Sequence, residues 1–235
     1  MKQIRISTIS LIALAIMASS GCQHDHEKPI LHVPQGKVGV VGFGSLMSLK
    51  AIEDVLERSY TDSTYQIHLL EYKRAWNFVG STKDPKLPQE LLDFDSYYIY
   101  ENDTLMFDNI VFLNIIDHPG SKVNAILYFL SPNDLIALDR MEIGYERIDV
   151  TNNIEEFTIK GGEIYAYRAL PNYTLTSQNK NQKNIIDESY YDLVIQACDS
   201  IGQHFRQEFN ASTIPVDTLM VAPTLNKKKS VLPNA

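Results

Sequence analysis

Between residues 96 and 169 the chain offers one strand-length segment after another, with only one short helical stretch among them. Apolar or alternating runs lie near 96–100, 109–116, 123–130, 145–150, 154–159 and 163–169, and a doubly wound parallel fold would need long helices between them. The pattern predicts an α+β chain with a mixed, mostly antiparallel sheet that can close as a small barrel. Gly161-Gly162 between the last two runs predicts an antiparallel hairpin. The helical stretch opens at Ser131-Pro132-Asn133-Asp134, where Ser131 suits an N-cap and Pro132 the first helical position, and it ends near Met141. Upstream, Val38 to Gly42 reads as a strand that runs through a glycine loop into an amphipathic stretch from Leu49 to Arg58. Residues 65–79 form a second strand region, and Ser81 to Glu90, with two prolines, reads as loop. Apolar spacing at Tyr190, Leu193, Val194, Ala197, Ile201 and Phe205 predicts one helix over 187–209. Neither a repeat nor a break in composition divides this core, so residues 37–213 read as one domain.

The N-terminal end has a different character. Lys2 and Arg5 precede an apolar run from Leu11 to Ala18 and the small residues Ser19, Ser20 and Gly21, the order of a signal peptide over residues 1–21. The run is shorter than the ~20 apolar residues of a spanning helix. Ser19-Ser20-Gly21-Cys22 resembles a bacterial lipoprotein lipobox, with Ser19 where leucine is usual. That resemblance implies acylation of Cys22 and a soluble domain held by lipid at the cell envelope, on its periplasmic or outer-membrane face. Residues 22–36 then read as a polar tether; its His24-Asp25-His26-Glu27 tract carries metal-ligand side chains with nothing to preorganise them, and no metal is expected. Residues 214–235, with three prolines and Lys227-Lys228-Lys229, read as a solvated C-terminal tail. The balance of 21 basic against 29 acidic residues gives a net charge of -8, which argues against nucleic acid as a partner. Two cysteines are too few for a disulfide scaffold, and Cys198, in a helix-like stretch, reads as a small buried apolar residue.

The glycines at 39, 42 and 44 follow a strand, and Glu71 ends the next one, but their order is not G-x-G-x-x-G and no βαβ units continue. No Gly-Lys-Ser/Thr follows to make a phosphate loop either. What such a loop offers is backbone N–H groups that approach an anion closely, beside a helix N-terminus.

Phe43-Gly44-Ser45-Leu46-Met47 resembles the N-terminal Tyr/Phe-Gly-Ser-Leu loop of the gamma-glutamylcyclotransferase-like (AIG2-like) proteins. Leu138-Asp139-Arg140-Met141-Glu142-Ile143-Gly144-Tyr145-Glu146-Arg147 resembles the same family's L-D-x-x-E-x-x-Y-x-R segment. Tyr72 to Asn77 resembles its Arg-bearing second strand, Tyr165-Ala166-Tyr167 its late tyrosine-bearing strand, and Tyr190-Tyr191-Asp192 lies on a helix that also fits. The resemblance spans about residues 37–209. It implies a small mixed β-barrel with flanking helices, no cofactor, and cyclisation of a γ-glutamyl amide or peptide to 5-oxoproline with release of the amine. It also implies Glu142 as catalytic acid/base, Gly44, Ser45 and Leu46 as backbone donors, and Phe43 where several active members have tyrosine. Arg74, Tyr145 and Tyr167 join as candidate substrate-binding residues. Chemically, the substrate's α-amine attacks its own γ-carbonyl, so one glutamate with a pKa near the working pH can serve both proton transfers. Ile143 and Met141 beside Glu142 suggest the apolar setting that such a pKa needs. The other class of function open to the same residues is a non-catalytic module that captures an amino-acid-like anion.

Overall fold

The computed structural model describes residues 27–87, 89–179, 181–217 and 220–229. The proposed signal peptide and Cys22 lie outside these residues, and no helix among the described residues is long and apolar enough to cross a membrane.

A short strand, β1 (Ile30–His32), precedes β2 (Val38–Gly42), a 3-10 turn (Ser45–Met47) and α1 (Leu49–Leu56). The 17-residue β3 (Tyr65–Ser81), a single helical turn α2 (Gln89–Leu92), β4 (Phe94–Tyr100) and β5 (Asp103–Met106) follow. The 22-residue β6 (Asn109–Leu130) leads into α3 (Pro132–Met141), then β7 (Tyr145–Asp149), β8 (Thr158–Lys160) and β9 (Ile164–Ala169). The chain closes with β10 (Asn184–Asp187), α4 (Glu188–Ile201), α5 (Gln203–Ser212), β11 (Val221–Ala222) and β12 (Thr224–Lys228).

The fold is α+β. Its long ladders are antiparallel: β3 against β6 over nearly the whole of both, β2 against β6, and β7 against β9. Parallel pairs join β2 to β9 and β10 to both β6 and β11, so the principal sheet is mixed. It curls until β3 meets the segments after β7 and β9 through single bridges, Leu69 with Ile154 and Phe78 with Thr174. β2 is apolar throughout because both its faces are covered. Val40 packs with Ile52, Leu138, Val194 and Phe205 from the helices, and Val41 with Leu69, Ile115, Val123 and Ile164 from the strands. Each such fully buried Val, Leu or Ile stabilises the fold by about 1.5–3 kcal/mol.

The start of α3 matches expectation: Ser131 Oγ accepts from the Asp134 N–H, Asp134 reaches back to the Ser131 N–H, and Pro132 sits in the first turn. Other expectations need correction. The runs 109–116 and 123–130 are one bent strand, because both halves pair with β3 across a register shift at Leu70/Tyr72, where the Glu71 carboxylate accepts from the Gly120 N–H at 3.1 Å. The glycines at 161 and 162 do not make a hairpin: β9 has both edges filled by β2 and β7, so β8 turns away and pairs with β1 in parallel. That pairing makes part of the expected tether an ordered strand. The predicted helix over 187–209 breaks at Gly202, where φ is +141°. The C-terminal segment is no free tail either. β12 pairs with β4 to make a separate three-stranded sheet with β5, Lys227 lies over the Tyr97 ring, and Lys229 donates to the Leu92 carbonyl.

Candidate active site

β2 ends at the rim of the core, and the chain folds back at once: a Cβ on Gly42 would lie 2.3 Å from the Leu46 carbonyl oxygen, so only glycine admits this turn. The turn sets Phe43, Gly44, Ser45 and Leu46 along one wall of a small cavity of about 40 Å³. Glu142 reaches the opposite side. It caps α3 through its N–H to the Leu138 carbonyl, and its own carbonyl accepts from Tyr145 at 3.1 Å. Gly144, at φ +88°, completes that turn against Phe78 and Tyr173, where a Cβ would come within 2.9 Å of both rings. Val41, Leu113, Tyr145, Tyr167 and Tyr190 fill the remaining wall.

Seven of the eight residues expected to act on substrate thus meet in one cavity: Phe43, Gly44, Ser45, Leu46, Glu142, Tyr145 and Tyr167. Arg74 does not, and its expected contact with substrate is corrected. It is fully buried behind the loop, where Nε donates to the Phe43 carbonyl at 2.8 Å and Nη2 to the Asn124 carbonyl at 2.5 Å. Nη1 donates to Ser212 and Thr213, and the guanidinium lies over the Phe209 ring. Burial lowers its pKa to about 9, so it stays charged at neutral pH. Among the described residues it has no carboxylate partner; its charge is held by carbonyl and hydroxyl oxygens and one aromatic face. Because it donates to the Phe43 oxygen, it polarises the peptide whose N–H belongs to Gly44.

Burial pushes the Glu142 carboxyl up to about 7, and the charge of Asp139 adds to the shift. Its place at the C-terminal, negative end of α3 works in the same direction. Among the described residues no donor and no cation meets this carboxylate, because its neighbours are engaged elsewhere. Tyr145 donates to the Leu113 carbonyl at 2.7 Å, and Tyr167 to Asp139 at 2.7 Å. Asp139 also pairs with Arg147 at 3.1 Å. The expected apolar neighbours are not the cause: Met141 is 67% exposed and Ile143 38%. The enclosing groups come instead from β2, β6, β7, β9 and α4.

Sequence reasoning left Tyr190 out of the site, although it had placed it on the apolar face of a helix. Its hydroxyl lies against the loop, 3.4 Å from where a Cβ on Gly44 would sit, while its ring packs edge-on against Trp76 and Phe112. The Gly44 and Leu46 amides have no acceptor among the described residues and are the donors the loop can offer.

Outside this cavity, His68, Glu155 and Glu156 come close enough to hold a metal ion. Their side chains are already engaged within the protein: His68 contacts Glu156 at 2.6 Å and Glu208 at 3.1 Å, and Lys122 pairs with Glu155 at 2.7 Å.

No family model matches the chain, and no curated protein matches it. Among solved structures it is similar to a gamma-glutamyl cyclotransferase, with a TM-score of 0.48 and 14% identity over 77% of this chain and 90% of that one. It is similar to an uncharacterized protein from Homo sapiens, with a TM-score of 0.47 and 15% identity over 78% of this chain and 91% of that one. A protein from Arabidopsis thaliana gives a TM-score of 0.34 and 20% identity over 57% of this chain and 62% of that one. At these levels the likeness is one of chain path, and the chemistry has to be sought in the residues that line the cavity.

Proposed function

We propose that the chain is a cyclotransferase that converts a γ-glutamyl amide or peptide to 5-oxoproline and a free amine. The observation that carries this reading is the Glu142 carboxyl: held near pH 7 without a partner, in a cavity whose facing wall presents the unengaged Gly44 and Leu46 amides. A group that titrates near neutrality is suited both to accept and to return a proton.

In the reaction, Glu142 takes a proton from the substrate's α-ammonium, and the freed amine attacks the γ-carbonyl to form the C–N bond of a five-membered ring. Negative charge develops on the carbonyl oxygen, where the Gly44 and Leu46 N–H groups can meet it; the Arg74-polarised peptide strengthens the first of these donors. Glu142 passes its proton to the leaving nitrogen as the bond from that nitrogen to the γ-carbon breaks. It then takes the second proton from the ring nitrogen as the lactam forms and hands it to the departing amine, which leaves as its ammonium, so two protons are lost and two gained. In this scheme Ser45 helps shape the loop and is not a nucleophile. No cofactor enters this scheme. Export and a lipid anchor on Cys22 form part of the proposal, placing the reaction at the cell envelope on a small γ-glutamyl compound.

The test is mass-spectrometric detection of 5-oxoproline from a panel of γ-glutamyl dipeptides and amides, with the wild-type domain and with Glu142→Gln. The wild type should release it and the variant should not. Equal release from both, or none from any panel member, would count against the reading.

A further inference from the structure

Beside the small cavity lies a second one of about 380 Å³, within the usual range of small-molecule sites. The two are separated by a thin wall made of site residues and their packing partners. Glu142 lines the first cavity while its chain neighbours Met141 and Ile143 line the second, and both of those apolar side chains are exposed. Phe78, on the second cavity, stacks on Tyr145 of the first at 4.3 Å, and Phe112 meets Tyr190 edge-on at 4.7 Å. The far wall belongs to the separate three-stranded sheet: Ser96 on β4, Phe107 just after β5, and Thr224 and Asn226 on β12.

The charge of this second cavity is one-sided. Asp84 and Asp187 line it, and no lysine or arginine does among the described residues. Asp84 accepts from the Lys86 N–H and from the Tyr173 hydroxyl, and these hydrogen bonds hold its carboxyl below the usual range. Asp187 is held by Ser189 and Thr224. Asp187 is thus kept ionised by neutral donors, with no cation beside it among the described residues, whereas the charge of Lys86, whose ammonium lies over the Tyr173 ring, also acts on Asp84. A ligand bearing its own carboxylate would be repelled there, whereas an aromatic or branched apolar group would find Phe78, Phe107, Phe112 and Tyr173 as walls, and an amine released as its ammonium would be attracted.

Building on the cyclotransferase reading, we infer that this cavity is the subsite for the amine half of the substrate, and that it selects γ-glutamyl amides of aromatic or apolar amines without a carboxylate over γ-glutamyl amino acids. The γ-glutamyl end occupies the small cavity, and the amine half crosses the ridge at residues 141–143.

Three measurements on the wild type and on Ser96→Trp test this. Ser96 lines the cavity from the three-stranded sheet, and Asn226→Trp on the paired strand repeats the test should the first variant fold poorly. The wild type should show kcat/KM at least tenfold higher for γ-glutamyl-2-phenylethylamide than for γ-glutamylglycine, and Ser96→Trp should erase that preference while retaining turnover of γ-glutamylglycine. Calorimetry with 2-phenylethylamine alone should show binding to the wild type and its loss in the variant. A preference for γ-glutamylglycine, or amine binding unchanged by filling the cavity, overturns the inference. Amine binding that disappears in the variant, with no 5-oxoproline from either amide, would uphold the subsite and overturn the cyclotransferase reading instead.

Discussion

Replacing Glu142 by glutamine should stabilise the protein, and by an amount set by pH. In the unfolded chain the carboxyl has its ordinary pKa of 4.5, and in the folded cavity it stands at about 7. Below pH 4.5 it is protonated in both states and contributes no difference. Between 4.5 and 7 the unfolded state ionises while the folded state holds its proton, so the unfolding free energy falls as pH rises. Above 7 both states are ionised and the penalty levels off; 2.5 pKa units at 1.36 kcal/mol each give about 3 kcal/mol. Glutamine has the shape of the protonated acid and never ionises, so Glu142→Gln escapes that penalty. Urea unfolding at pH 5 and pH 8 should show the two proteins within about 1 kcal/mol of each other at pH 5 and the variant about 3 kcal/mol more stable at pH 8. That gain corresponds to a rise in Tm of about 6–12 °C for a domain of this size. Equal stability at both pH values would mean that the carboxyl is solvated, and the account of its raised pKa would fail.

Two further substitutions address the frame around the site. Arg74→Met would orphan the buried Phe43 and Asn124 carbonyls, so it should destabilise the protein by about 3–5 kcal/mol, with loss of activity at temperatures where the fold persists; chemical denaturation and a parallel assay measure both. Gly42→Ala would drive a methyl group into the Leu46 carbonyl, so it should cost more than about 2 kcal/mol and displace the loop, seen as perturbed backbone amide shifts from Phe43 to Met47, whereas alanine at Gly120, where no atom lies within 4 Å, meets only the strain of its φ of +76°.

Much of the core is legible in the sequence because it follows from local patterns. The apolar β2 run, the Ser131 capping box and the strand alternation of β3 each report their own structure within a few residues. What was not legible depends on partners far away in the chain. β1 and β12 look like tether and tail because each is short and sits in polar or proline-bearing flanking sequence, and each is paired with a segment, β8 or β4, more than a hundred residues distant. The double glycine at 161–162 signals a turn correctly but says nothing about which strand β9 will choose on either side. At the site, the loop and Glu142 stand out by their resemblance to the motifs of a known family, whereas the place of Arg74 is decided by its neighbours: an arginine on an alternating strand reads as solvent-facing or ligand-binding until the end of α5 brings Ser212, Thr213 and Phe209 over it. Tyr190 was hidden for the same reason, since apolar helical spacing cannot tell a core tyrosine from one whose hydroxyl lies against the loop that lines the cavity.

The most direct test of Glu142 as a shuttle for protons is the pH profile of kcat/KM for 5-oxoproline release between pH 5 and 9. The structure predicts an inflection near pH 7 in the wild type and no measurable turnover in Glu142→Gln at any pH. A profile without an inflection between pH 6 and 8, or a glutamine variant that keeps wild-type turnover, would contradict the assignment of acid/base chemistry to this carboxyl.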